Sequence, residues 1–341
     1  MRLLLEIGDA CPVRPVLFVT NDRMVRLVDA HRDELAGRYH LPFPSRALLQ
    51  ELLEKDSLSA LATRQGLRIP RSWALRGAEA SGAAPGVLDA IPFPCIVKPT
   101  APMSSFKVLL VPDRVALSRA LAAHPDVDRV IVQEWIPGGD EQVYFAAYYF
   151  DREGRVRAPF SGQKIRQVPR TLGNSSAARG VDRPDLLEEG LKLFRGLDYR
   201  GIASVEFKLG PSGEPYFIEA TVARSDFWLK TLLVNGVDLP CVVYSDLTSV
   251  DLVAESRQRN RYAWVDEDRD LWVYLESFAD PACPRRGLLR FLVEPKRFAL
   301  LDVRDPRPFL SWIGPLLKQV ASKVRRRLGR PAAPASAAAA R

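Results

Sequence analysis

The sequence predicts a mixed α/β protein in which helices cover sheets, and three observations carry that prediction. Short apolar runs of the kind that form buried strands recur at Cys95–Val97, Val108–Val111, Val130–Val132 and Val143–Phe150. Helical patterns lie between and around them, at Ser45–Gln65, Val115–Ala123 and Pro184–Leu197. Two more strand patterns, Ile202–Leu209 and Tyr216–Ala220, flank the turn-rich Gly210-Pro211-Ser212-Gly213-Glu214-Pro215.

Taken in order, Val16–Thr20 reads as a short buried strand, and Asn21-Asp22 opens a helical pattern to about Leu35. This is one β-α step of an open layer. The helix expected over Ser45–Gln65 stops at Gly66, with Pro70 beyond it, and Ser81–Pro85 is small enough for a loop. The runs at 95–97 and 108–111 suggest a strand pair, and Val143–Phe150 leads into the turn Asp151-Arg152-Glu153-Gly154. Signals weaken between Cys241 and Val303. Asp305-Pro306 then opens a final amphipathic helix, and the Ala- and Pro-rich residues after Gly329 read as disordered. There is no internal repeat.

Composition narrows the function. Of 341 residues 47% are hydrophobic and 26% charged, as in ordinary soluble domains. No run approaches the roughly 18 apolar residues of a membrane helix. Glu6 and Asp9 interrupt Leu3-Leu4-Leu5 too early for a signal-peptide core, so a cytoplasmic protein is expected. Cys11, Cys95, Cys241 and Cys283 are scattered and the histidines are only His31, His40 and His124. That excludes a zinc ribbon, a redox pair, a disulfide framework and a histidine triad. Any metal is expected to be a hard cation held by carboxylates. Much of the formal charge of +8 lies in Lys318, Lys323, Arg325, Arg326, Arg327, Arg330 and Arg341. No aromatic residues interleave with that cluster, which speaks against nucleic acid. A solvated tail is the plain reading; contact with an anionic membrane surface or a partner is the alternative.

Three constellations point to chemistry. If the 210–215 connection is symmetric, Glu206 faces Glu219 across two paired strands, each among apolar neighbours. Opposed like charges destabilise a sheet, and a divalent cation between them removes the conflict. Lys98 ends the apolar strand of Phe93-Pro94-Cys95-Ile96-Val97-Lys98-Pro99, where an ammonium on a fixed stem suits a phosphate. Val130–Val132 runs into Gln133-Glu134-Trp135-Ile136 and then Gly138-Gly139-Asp140-Glu141, a strand-to-turn segment able to line an adenine slot.

In this order the motifs resemble the ATP-grasp superfamily over about residues 45–245, with the carboxylate–amine ligase group as the nearest match. The helix-opening Lys55, the Gly66-Leu67-Arg68-Ile69-Pro70 segment, Lys98, the 133–136 hinge, Glu206 and Glu219 carry the likeness. The resemblance implies that Lys55 and Lys98 hold ATP phosphates, that Gln133, Glu134, Trp135 and Ile136 meet adenine, and that Asp140 or Glu141 binds ribose. It implies that Lys164 and Arg166 stand near the transferred phosphate, and that Glu206, Glu219 and Thr221 hold magnesium, or manganese in its place. Arg224 is the candidate for binding the acid substrate, or else pairs with Asp226.

Two departures stand out. Thr221 and Arg224 replace an Asn and an Arg that the family places two and four residues after the second metal acid. The 101–106 segment, Ala-Pro-Met-Ser-Ser-Phe, lacks the glycines of a phosphate loop.

The expected architecture is a truncated Rossmann-like layer with the lysine helix (1–90), two ATP-grasp subdomains (91–135 and 136–250), an extension (251–328) and a disordered tail (329–341). One β-α step is short for such a layer. An exposed strand edge at Val16–Thr20 would then favour homo-oligomers, and coding sequence upstream of Met1 is an expectation. The implied reaction joins a small carboxylate to an amine at the expense of ATP. A phosphotransferase and a catalytically weak or dead ATP-binding scaffold are the alternatives.

Overall fold

Alternation of inward and outward side chains organises a computed structural model of the chain around two sheets. It describes residues 1–76, 88–100, 105–106, 108–252, 256–279, 289 and 291–328. The loop expected at 81–85, residues 101–104 of the phosphate loop, Cys283 and the tail 329–341 lie outside these.

The smaller sheet has four antiparallel strands in the order β1-β4-β2-β3: β1 (Ser72–Arg76), β2 (Cys95–Pro99), β3 (Leu109–Val111) and β4 (Arg129–Glu134). A helix over Arg114–Ala123 covers it, with Leu117 and Leu121 on Cys95, Val97, Val130 and Val132. Asp113 caps that helix through the backbone N–H of Ala116 at 2.7 Å. The sheet thus begins at Ser72, inside the segment assigned in advance to the first layer; Ser-Trp-Ala-Leu-Arg carries too weak an alternation to announce a strand.

The larger sheet runs β11-β10-β7-β6-β5-β8-β9. Its members are β5 (Val143–Phe150), β6 (Val156–Val168), β7 (Asn174–Gly180), β8 (Gly201–Leu209), β9 (Pro215–Val222), β10 (Ala263–Val265) and β11 (Lys296–Phe298). Every pair is antiparallel except β10–β11. Ala146, Tyr148, Val205 and Phe207 face the N-terminal helices on one side, while Phe145, Ala147, Tyr149 and Phe160 face helices Trp228–Val234 and Leu239–Thr248 on the other. With both faces covered, all nine residues of β8 are buried.

Two N-terminal expectations are corrected. Val16–Thr20 is no strand: Val16 makes one isolated parallel bridge with His40. The partner segment His40-Leu41-Pro42-Phe43-Pro44 contains two prolines, which cannot donate to a ladder. The exposed strand edge inferred there is therefore absent from the described residues. The helix expected over 45–65 is two helices, α1 (Arg46–Leu53) and α2 (Lys55–Arg64), broken at an extended Glu54. Arg26 stabilises the break, donating to the Leu53 carbonyl and the Glu54 carboxylate at 3.0 Å each. Lys55 therefore opens a helix of its own.

Candidate active site

The acid pair forms from strand register. β9 pairs with β8 so that Glu206 opposes Glu219 and Ser204 opposes Thr221. A bulge between Glu206 and Phe207 sets this alignment, and there the Phe217 N–H leaves for the Arg68 carbonyl, 2.8 Å away in the Gly66–Pro70 segment. Glu206 and Thr221 are buried while Glu219 is exposed. The Ser204 hydroxyl is buried without a hydrogen-bond partner.

Lys164, reaching across from β6, ion-pairs with Glu206 at 2.7 Å and lies 5.2 Å from the centre of the Phe227 ring. Burial raises the Glu206 carboxyl, opposed by Lys164 and helped by Glu219 and Asp226, to about 7. Burial disfavours the Lys164 ammonium, but Glu206, Glu219 and Asp226 together raise its pKa above the ordinary lysine value. Asp226 also pairs at 2.6 Å with Arg224, which reaches Asp22 at 2.5 Å. Ala223, with φ of 57°, turns the chain out of β9 and sets Arg224 between them. Arg224 thus takes the ion pair with Asp226 allowed for in advance, and adds Asp22.

Four carboxyl groups, Asp22, Asp226, Glu206 and Glu219, gather around the two cations Lys164 and Arg224, a deficit of cations among these groups. The residues fit a hard divalent cation: opposed carboxylates, an unsatisfied hydroxyl and this deficit are what such an ion would complete.

The lysines expected at the phosphates converge on the end of β2. Lys98 donates to the Gln133 side chain at 3.1 Å, and Lys55 to the Pro99 carbonyl at 3.5 Å. In the hinge, Ile136 is buried and Glu134 is held by Arg71 at 3.1 Å. Asp140 and Glu141 are distinguished. Asp140 accepts from the Gln167 and Thr171 backbone N–H groups at 2.8 and 2.7 Å and from the Gln167 amide at 3.1 Å. Its carboxylate is spent on the β6–β7 connection, whereas Glu141 is exposed.

Arg166 stands apart from the acid pair. It grips Asp270 of a helix over Glu267–Ala279 at 2.7 and 2.5 Å, and its guanidinium packs against the Phe291 and Tyr274 rings. A bulge between Lys164 and Arg166 separates their directions.

One residue escaped the sequence reading. Lys208, buried two positions after Glu206, lies 4.6 Å from the centre of the Trp135 ring and donates to the Gly138 and Gly139 carbonyls at 2.7 and 3.2 Å. Burial lowers its pKa to about 8, with Asp140 opposing. A lysine inside an otherwise apolar strand was the available signal. Asp22 and Asp270 had none, since their partners lie far along the chain. A further acidic group joins Asp151 and Glu153 of the β5–β6 turn to Asp246 of the Leu239–Thr248 helix. Arg152, Arg155 and Arg157 already pair with it.

No protein-family model matches the chain. The chain is 23% identical over 250 residues to a D-aspartate ligase of Enterococcus faecium, covering 68% of this chain and 58% of that one. Its fold is similar to the β,γ-ATP complex of biotin carboxylase from Campylobacter jejuni, with a TM-score of 0.56, 16% identity, and 70% and 55% of the two chains covered. An N5-carboxyaminoimidazole ribonucleotide synthetase in its ADP complex gives a TM-score of 0.60 at 12% identity, covering 82% and 72%. The biotin carboxylase domain of a Hydrogenobacter thermophilus 2-oxoglutarate carboxylase, with MgADP and bicarbonate, gives 0.57 at 13%, covering 77% and 60%. The chain therefore spans less than two thirds of the length of the D-aspartate ligase and of the C. jejuni enzyme. The chain thus shares the fold of these solved enzymes, the ATP-grasp fold.

Proposed function

We propose that this protein is an ATP- and magnesium-dependent ligase that activates a carboxylate as an acyl phosphate and joins it to an amine. The observation that carries the reading is the Glu206–Glu219 pair, opposed in register within a cluster where carboxyl groups outnumber the cations Lys164 and Arg224. Glu206 and Glu219 would hold magnesium, with the Thr221 hydroxyl beside them, and the metal would neutralise charge on the transferred phosphate. Lys55 and Lys98 bind the phosphates, the 133–136 hinge takes the adenine, and Glu141 takes the ribose. Lys164 keeps Glu206 aimed at the metal. Arg224 meets the acid substrate by exchanging the exposed Asp22 for the substrate carboxylate, a swap between like partners for a guanidinium. Arg166, locked on Asp270, positions β6 and does not touch substrate. We place the enzyme in the cytoplasm.

The test is a screen of acid–amine pairs for ADP release, with mass detection of the amide. Amino acids lead the acid panel because the sequence relative is a D-aspartate ligase. ADP release that requires the amine supports the ligase. A phosphorylated acid formed without amine selects a phosphotransferase. ATP binding without turnover across the panel selects a scaffold, which the neutral Thr221 ligand also favours.

A further inference from the structure

The chain has 49 Lys and Arg against 41 Asp and Glu; eight of those cations and none of the acids lie in residues 307–341, so the first 306 residues are formally neutral. Most of the eight ride on α3, the helix Arg307–Leu328. In sequence, Phe309, Ile313, Leu316, Val320 and Val324 repeat at helical spacing along one side of it, with Leu310 and Leu317 alongside.

The body of the protein does not use up this apolar side. Phe309, Trp312, Ile313 and Leu316 stand over Tyr274 and Phe298 but leave a cavity of about 440 Å³ between. Leu292, at its lining, is 57% exposed, and Leu310 and Leu317 on the helix are 61% and 63% exposed. Pro315 lies inside the helix and removes one of its hydrogen bonds, so the basic half is joined to the seated half by a weakened turn. No helix among the described residues is long and apolar enough to cross a membrane.

We propose that α3 is an interfacial anchor that lays this protein on an anionic lipid surface. Its exposed Leu310 and Leu317 enter the headgroup–acyl boundary beside the seated row, while the lysines and arginines meet the phosphates. Charge complementarity chooses this occupant. A second copy would bring the same eight cations together, and a nucleic acid would satisfy the cations but leave the leucines uncovered.

The test is flotation of the full chain with phosphatidylcholine vesicles, with and without phosphatidylglycerol. At least about tenfold more protein is expected on the anionic vesicles. Brominated acyl chains are expected to quench tryptophan fluorescence there, with most of the quenching lost in Trp312→Phe. Leu310→Glu/Leu317→Glu alters two exposed positions, so its melting temperature is expected to stay native while flotation is lost. Equal flotation on neutral vesicles, absence of quenching, or undiminished flotation of the double variant each overturns the anchor. A double variant that turns a dimer into a monomer assigns the face to a second copy and overturns it too.

Discussion

Lys164 and Arg166 stand two residues apart on β6, both buried and both in ion pairs, yet their surroundings differ in kind. Arg166 is matched: two bonds to Asp270, whose Oδ1 also accepts from the Ser176 hydroxyl at 2.8 Å, with two aromatic rings packed against the guanidinium. Lys164 is outnumbered, facing Glu206 directly and Glu219 and Asp226 at longer range. A matched pair leaves nothing for a ligand to complete. An outnumbered one leaves a deficit that a divalent cation fills. The Asp151–Glu153–Asp246 group makes the same point: it brings acids together, but its three arginines satisfy it.

The largest expected effect comes from breaking the matched pair. Asp270→Asn leaves Arg166 buried without its counter-charge and should cost about 3–5 kcal/mol of stability. Magnesium should recover none of it. Lys164→Met should also destabilise the metal-free protein, by leaving Glu206 and Glu219 facing each other, but excess magnesium should restore most of the loss. Thermal melts of both variants across a magnesium series check this. Rescue of Asp270→Asn, or no rescue of Lys164→Met, breaks the contrast.

These pairs also show how much the sequence could tell. The β8–β9 hairpin was legible because its turn and both strands lie within about twenty residues, but the turn is not the symmetric one expected: Leu209 pairs with Pro215, and the bulge between Glu206 and Phe207 restores the Glu206–Glu219 register. The strands β6 and β7 were not. Apart from Phe160, their buried positions are Ala158, Ser161, Gly162, Lys164, Arg166, Gln167, Ser175, Ser176, Ala177, Ala178 and Gly180, too small or polar to mark a core. Gly162 is small because the Phe145 ring packs where a Cβ would stand. Arg166 was grouped with Lys164 on the family resemblance alone, and its partner 104 residues later was beyond any local pattern.

A smaller effect is expected at the phosphate end. Lys98→Ala removes one half-buried hydrogen bond to Gln133, worth about 0.5–1.5 kcal/mol. It should nevertheless abolish most of the melting-temperature rise given by MgATP. An unchanged rise would take Lys98 out of the phosphate site.

The smallest effect belongs to the satisfied acidic group. Burial alone would raise the Asp151 carboxyl, but the Arg155 N–H and guanidinium more than offset this and hold it below its ordinary 3.8. Its contribution to stability is present above that ordinary value and is lost as pH falls through the lower folded one. Asp151→Asn should therefore flatten the acid limb of the melting curve below roughly pH 4, with magnesium response unchanged at neutral pH. A changed magnesium response would make this group a cation site and undo the distinction drawn above.

The account rests on the acid pair, and Glu219→Gln tests it most directly. Glu219 is exposed and opposes a like charge, so its loss should leave the metal-free melting temperature equal or raised. The wild-type protein should gain about 2.7 kcal/mol from MgATP at a hundredfold excess over Kd, read as a rise of several degrees. For Glu219→Gln that rise should fall close to zero. A variant that keeps the wild-type rise would contradict a metal held between Glu206 and Glu219.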